Sequence, residues 1–300
     1  MSLKYNAALG LCLTSASVLA SLFFAPEADA SHLSSRAFSI KADGSSTAGE
    51  PWPDGKVTWC LNGRYNDNTR KKVLQIANDA WQLWEDALDG KSSLEFKPAD
   101  DDNPLCGEVS DADTEAGMLH IRLLKGKNAF SSVGHTDEEG SKEMKFSLAE
   151  DYGGMDPVVN FAHELGHVFG LVHEHQRPSA WGSDGGASLL KLNCENLADY
   201  DIAAAQGLNM DVLCRDHWAA SQKGFSALDF LPLAEADEDG IVEAGAFDWD
   251  SIMLYNSHAG AKQVGGTFQP TLVKKDGSEI GINKKPSKGD AAAVIKLYPK

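Results

Sequence analysis

One run constrains this chain more than any other feature: His163, Glu164, Leu165, Gly166, His167, Val168, Phe169, Gly170, Leu171, Val172, His173, Glu174. On a helix, His163 and His167 lie four residues apart and project from one face. Neutral imidazoles so placed can grip a single zinc ion at about 2.0–2.1 Å each. Gly170 lets the backbone take a left-handed turn that ends the helix and sends the chain back toward the metal. His173 then supplies a third ligand from outside the helix, and the fourth position is left for water, the arrangement of a catalytic zinc. Glu164 adjoins the first ligand and can accept the proton of that water. The chain holds only 9 histidines in 300 residues, so three of them at these intervals, with an acid and a glycine, are not a by-product of composition. His175 breaks the spacing and is expected around the site or on the surface, outside the ligand set.

The rest of the chain reads as an α+β domain. Trp52, Pro53, Asp54 and Gly55 signal a turn, and residues 56–60 read as a strand. Between residues 69 and 88, Val73, Ile76, Ala77, Ala80, Trp81, Trp84 and Leu88 recur at three- and four-residue steps. That spacing predicts an amphipathic helix capped by Asn68 or Thr69 and stopped by Gly90. Residues 94–96 and 118–124 read as strands, the second long enough to be central. Residues 179–246 form a long mixed stretch, partly helical around 198–205.

The N-terminus reads as an address. Residues 1–30 carry Lys4, an apolar stretch and then Ala28, Asp29 and Ala30, which fits a cleaved secretory signal. Residues 31–50, rich in Ser, Ala and Gly, are expected to be a short pro-segment or flexible leader. No later apolar run approaches the roughly 20 residues that cross a bilayer, so no stable membrane association is expected. Of 5 cysteines, Cys12 leaves with the signal. Cys60, Cys106, Cys194 and Cys214 allow three pairings, with proximity favouring Cys60–Cys106 and Cys194–Cys214. With 44 acidic against 27 basic residues the net charge is -17, which disfavours nucleic-acid partners. Acidic residues between Glu235 and Glu243 resemble half of a calcium loop, but Ala246 stands where the terminal glutamate is needed, and a solvated loop is expected instead.

The histidine run resembles the zinc signature of the metzincin metalloproteases, whose members also carry a methionine-containing turn downstream. Ser251, Ile252, Met253, Leu254 and Tyr255 match that turn. The resemblance is to the astacin branch in particular. Glu174 directly follows the third histidine, within His173-Glu174-His175-Gln176-Arg177-Pro178, and Tyr255 follows Met253 by two. The run from Trp52 to Val57 resembles the start of that branch's mature domain; Pro270-Thr271-Leu272-Val273 and Ile295-Lys296-Leu297-Tyr298 resemble its C-terminal region.

The resemblance implies a two-lobed metzincin fold over residues 51–300, with a twisted N-terminal sheet, an active-site helix and an irregular C-terminal lobe. The interval from His173 to Met253 exceeds what is usual for the branch, so residues 179–246 are expected as an insertion. It also implies a secreted, extracellular zinc endopeptidase, expected to be a monomer, with one catalytic Zn²⁺ held by His163, His167 and His173. Glu164 would be the general base, and Tyr255 would ligate the resting metal and then stabilise the oxyanion. Glu174 would contact a newly cut N-terminus, with Met253 and Gly170 supporting the site. The cysteines do not match the branch's usual disulfides, no cysteine is present in residues 31–50 for a cysteine switch, and Asp43 is a candidate latency ligand there. An extended polypeptide substrate would add beside an edge strand, 118–124 or 133–136 being the candidates. Two other readings stand beside this one. Another metzincin branch is one: Glu174 and Tyr255 argue against the matrix type, and the absence of nonapeptide glycine–aspartate repeats weighs against a serralysin-like one. A secreted non-catalytic zinc-binding protein or toxin would need no base beside its ligand.

Overall fold

The structure is a computed structural model, and it describes residues 37–41, 49–100, 103–107, 117–125, 129–135, 142–148, 155–182, 187–233 and 241–300. The expected signal at 1–30, Asp43 and most of the acidic loop before Ile241 lie outside the described residues.

Strand β1 (Ala37–Ile40) comes first, followed by β2 (Lys56–Asn62) and helix α1 (Asp67–Leu88). The helix forms as its periodicity requires, burying Val73, Ile76, Ala77, Ala80, Trp84 and Leu88 along one face. Its cap is Asn66, whose side chain accepts the Thr69 N–H, not Asn68 or Thr69 as the sequence suggested. An asparagine reaches the third residue ahead, and this one sets Asp67 in the first turn, where a negative charge suits the helix dipole. Asp89 and Gly90 end the helix with positive φ.

Strands β3 (Glu95–Pro98), β4 (Leu105–Gly107), β5 (Met118–Leu123), β6 (Phe130–Ser131) and β7 (Glu143–Phe146) build a sheet with β2. Its order is β3-β2-β5-β7-β6, with β4 paired to the far end of β2. β2, β3, β5 and β7 are parallel, whereas β6 runs antiparallel along β7. Leu119 and Ile121 of β5 are fully buried, and the strand bonds to β2 on one side and β7 on the other. Residues 118–124 therefore offer no free edge. Residues 133–135 are not a strand either: His135 only bridges Glu50. The edge beyond β7 belongs to β6.

Helices α2 (Pro157–Val168) and α6 (Lys288–Leu297) complete this layer with α1. Trp59, Trp84, Phe96, Phe146, Phe161 and Phe169 fill the core between helices and sheet, and Trp84 Nε1 donates to the Ala162 carbonyl at 2.9 Å, tying α1 to α2.

Between these helices the chain is irregular. It contains β8 (Leu190–Leu192), α3 (Tyr200–Ala205), α4 (Met210–Leu213), α5 (His217–Lys223), β9 (Ile241–Ala244), β10 (Gln263–Val264), β11 (Thr267–Phe268) and β12 (Leu272–Lys274). A second core gathers here around Leu197, Leu213, Phe225, Phe230, Leu231, Leu254, Leu272 and Ile280. The expected insertion thus supplies most of a core. The disulfides Cys60–Cys106 and Cys194–Cys214 close one loop in each region. The fold is α+β as expected, and Ile252 and Met253 pack in the first core while Leu254 packs in the second.

The flexible-leader expectation does not hold for residues 37–40. β1 pairs antiparallel with β9, and Ser39 bridges Leu171 on its other side. Ile40 is 1% exposed. A buried isoleucine and two backbone partners order a segment that composition alone marks as loose. Among the described residues no helix is long and apolar enough to cross a membrane.

Candidate metal centre

Helix α2 is a short, nearly fully buried helix that must present two histidines at a fixed height. Asp156 caps its start, its side chain accepting the Val158 and Val159 N–H groups, and Pro157 occupies the first turn. At the other end, remote elements take the carbonyls that a helix leaves without partners. Trp52 Nε1 donates to Val168 O at 2.7 Å, the Tyr298 hydroxyl to Phe169 O at 3.1 Å, and the Gly134 N–H to His167 O at 2.9 Å. Gly170 has φ 100, the left-handed conformation the sequence suggested, and its carbonyl accepts the Ile40 N–H at 2.9 Å. The turn is thereby fixed, and the chain returns with His173.

The three predicted ligands come together. His163 Nε2 and His167 Nε2 lie 3.2 and 3.0 Å from His173 Nε2, and the three form a group able to hold a metal ion. His163 Nδ1 donates to the Ile252 carbonyl at 2.8 Å and His167 Nδ1 to the Leu171 carbonyl at 2.9 Å. A carbonyl only accepts, so each Nδ1 carries the proton and each Nε2 turns a lone pair to the shared point. His173 Nδ1 lies 3.0 Å from Gln176 Oε1. Lone pairs converging without a proton between them are what a cation would satisfy. Burial holds the imidazoles in their neutral, ligating form: it pushes His163 down to about 4 and His167 to about 3, the latter also through its neighbour His163, and His173 well below the usual histidine range. The set fits zinc by donor type and number.

Glu164 is buried beside the first ligand, and burial pushes its carboxyl up to about 7, with the Ser131 hydroxyl acting in the opposite sense. That hydroxyl, on β6, donates to Glu164 Oε2 at 2.7 Å.

Met253 is 1% exposed, and its Sδ occupies the space a side chain on residue 166 would need, which is why Gly166 sits at that level of α2. Asp290 on α6 accepts from Ser251 Oγ at 2.7 Å and the Ile252 N–H at 2.9 Å, so it fixes the turn whose carbonyl orients His163. The Tyr255 ring lies 4.4 Å from His173 and 4.3 Å from His175, centroid to centroid. His175 is fully buried, Nε2 donating to the Asp229 carbonyl at 2.8 Å while Nδ1 accepts the Tyr255 N–H at 3.4 Å. Of the two places expected for it, the surface is excluded. Glu174 is also buried. Oε1 accepts the Asp248 N–H at 2.8 Å, and Oε2 pairs with Arg177 Nη2 at 3.1 Å. Arg177 and Asp248 are the partners this carboxylate has in the structure. Cys60, Cys106 and His120 also cluster, but both sulfurs are spent in a disulfide and offer no thiolate to a metal.

Sequence reasoning missed Ser131, Gln176 and Asp290. Ser131 and Asp290 stand at no recognisable interval from the histidines, and Gln176, three residues after His173, is an ordinary polar residue; only the fold reveals the part each plays.

Neutral imidazoles on a helix and its return turn, with an adjoining carboxylate and a methionine turn beneath them, make a site able to hold a metal ion. The chain is similar to two curated proteins at low identity. It is 23% identical over 252 residues to bone morphogenetic protein 1 of Xenopus laevis, covering 82% of this chain and 27% of that protein. It is 24% identical over 224 residues to zinc metalloproteinase nas-8 of Caenorhabditis elegans, covering 71% and 47%. The chain thus spans about a quarter and about half of these relatives' lengths. No family model matches. Among solved structures, high choriolytic enzyme 1, a hatching enzyme zinc-protease from Oryzias latipes, aligns with TM-score 0.46 and 16% identity over 83% of this chain and 94% of that one. Myroilysin aligns with TM-score 0.45 and 18% identity over 88% and 99%.

Proposed function

We propose that this chain is a secreted zinc endopeptidase, with His163, His167 and His173 as ligands and Glu164 as general base. The observation that carries the reading is the convergence of the three Nε2 atoms beside a buried glutamate whose oxygen is already oriented by Ser131. Bound there, zinc would polarise a water and a scissile carbonyl. Glu164 takes the proton of the attacking water and passes it to the leaving amine. Ser131 keeps one Glu164 oxygen occupied, so the other faces the reacting water. The Tyr255 hydroxyl donates to the developing oxyanion, the part a phenol beside the third ligand can play. Met253 and Gly170 support the ligands from below and from the turn.

The substrate is an extended polypeptide laid antiparallel or parallel along the outer edge of β6, whose Ser131 touches the base. Residues 1–30 act as a cleaved signal, consistent with two disulfides in the folded chain, and the enzyme acts as a monomer.

Glu164→Gln tests the assignment. The variant is expected to keep about one zinc per chain while casein cleavage falls by 10²-fold or more. Cleavage by the wild type is expected to stop with 1,10-phenanthroline. Full activity in Glu164→Gln would refute the mechanism, and folded wild type without zinc would refute the metal assignment.

A further inference from the structure

We propose that Gln176 is the positioning residue for the third zinc ligand, fixing the tautomer and orientation of His173 on behalf of the segment after α5. The proposal rests on the assignment of the three histidines to zinc made above.

Gln176 is 7% exposed, in the single helical turn Glu174–Gln176. A primary amide has one accepting and one donating end, which its own geometry leaves interchangeable. Here the surroundings decide. Gln176 Nε2 faces two carbonyls, Leu228 O at 3.0 Å and Leu231 O at 3.3 Å. Turning the amide over would set its oxygen against both. Oε1 must therefore face His173 Nδ1, 3.0 Å away, and that nitrogen must carry the proton. The lone pair of His173 is left on Nε2, among those of His163 and His167. The backbone is tied as well: the Leu233 N–H donates to Gln176 O at 3.0 Å.

The other two ligands differ in kind. His163 and His167 are oriented by backbone carbonyls, which no substitution removes. His173 alone depends on a side chain, and that side chain is set by residues 52 and 55 positions downstream. His173 is also the one ligand not held by α2. The segment 228–233, in the stretch expected as an insertion, is thus wired to the ligand that lies outside α2.

Gln176→Met keeps the length and apolar volume of the side chain and removes its acceptor. Measured by chelator competition, its zinc dissociation constant is expected to rise 10–100-fold, the range for loss of such a partner. Urea unfolding of the zinc-free variant confirms that it is folded. A dissociation constant within twofold of wild type overturns the proposal. A second measurement needs no variant. Imidazole ¹⁵N spectra of the zinc-free wild type are expected to place the His173 proton on Nδ1; a proton on Nε2 overturns the proposal. Failure of the wild type to bind zinc would instead strike the metal assignment.

Discussion

Replacing Gly170 by alanine isolates the turn that brings His173 back to its partners. Two costs add. Gly170 has φ 100, and forcing an L-residue into left-handed backbone costs about 1–2 kcal/mol. The new methyl would also stand 2.7 Å from Ile40 Cδ1 and 2.8 Å from its Cγ1, and such overpacking costs about 1–3 kcal/mol. The sum is about 2–5 kcal/mol. The two parts largely separate in a double-mutant cycle, because Ile40→Ala removes the two closest atoms and leaves the backbone strain and a milder contact with Leu297 Cδ1 at 3.1 Å. Ile40→Ala alone should cost about 2–5 kcal/mol, since the side chain is 1% exposed. In its presence, Gly170→Ala should cost only about 1–2 kcal/mol, a coupling of about 1–3 kcal/mol. Urea unfolding of the zinc-free proteins reads these values without the stabilisation that metal binding adds. A cost for Gly170→Ala that Ile40→Ala leaves unchanged would show that β1 does not pack on the exit turn of α2, and the reasoning would fail.

Two more outcomes can be checked by denaturation. Asp229 is pushed up from 3.8 to about 6 by burial and by the neighbouring Asp199 carboxylate, so the fold favours its protonated form. Its contribution is fully present below pH 3.8 and lost as pH rises through about 6; Asp229 is nonetheless exposed overall and its charge is screened by water, so Asp229→Asn should gain only about 1 kcal/mol at pH 7 and little at pH 4, and equal changes at both would refute this. Opening Cys60–Cys106, separated by 46 residues, with paired serines should cost about 4 kcal/mol, against about 3 kcal/mol for Cys194–Cys214, separated by 20; the reverse order in urea would show that loop entropy does not set these costs.

Helical parts of the fold are legible in the chain because a helix repeats. The buried face of α1 follows from its three- and four-residue steps, and the pairing of His163 with His167 follows from the same geometry. Gly170 is legible for a different reason: few residues tolerate positive φ, so a glycine after a helix reports a turn. The caps were misjudged by two or three residues at α1, since several polar residues in a row can each serve and only the backbone path selects one. The substrate edge was misplaced because 118–124 reads as a strand whatever its neighbours, and being central or outermost is a property of the sheet.

By itself, then, the sequence singled out the proposed ligands, the proposed base and the turn between them, because each rests on residue identity at short range. Tertiary structure decided what holds them. The partners of His163 and His167 are carbonyls of Ile252 and Leu171, which every residue possesses and no sequence marks. Ser131, Asp290 and Ile40 reach the site from separate elements, and β1 meets β9 across most of the chain. Such contacts have no period along the sequence; they exist only once burial has brought distant segments together, and the same burial keeps the imidazoles neutral and ready for a metal.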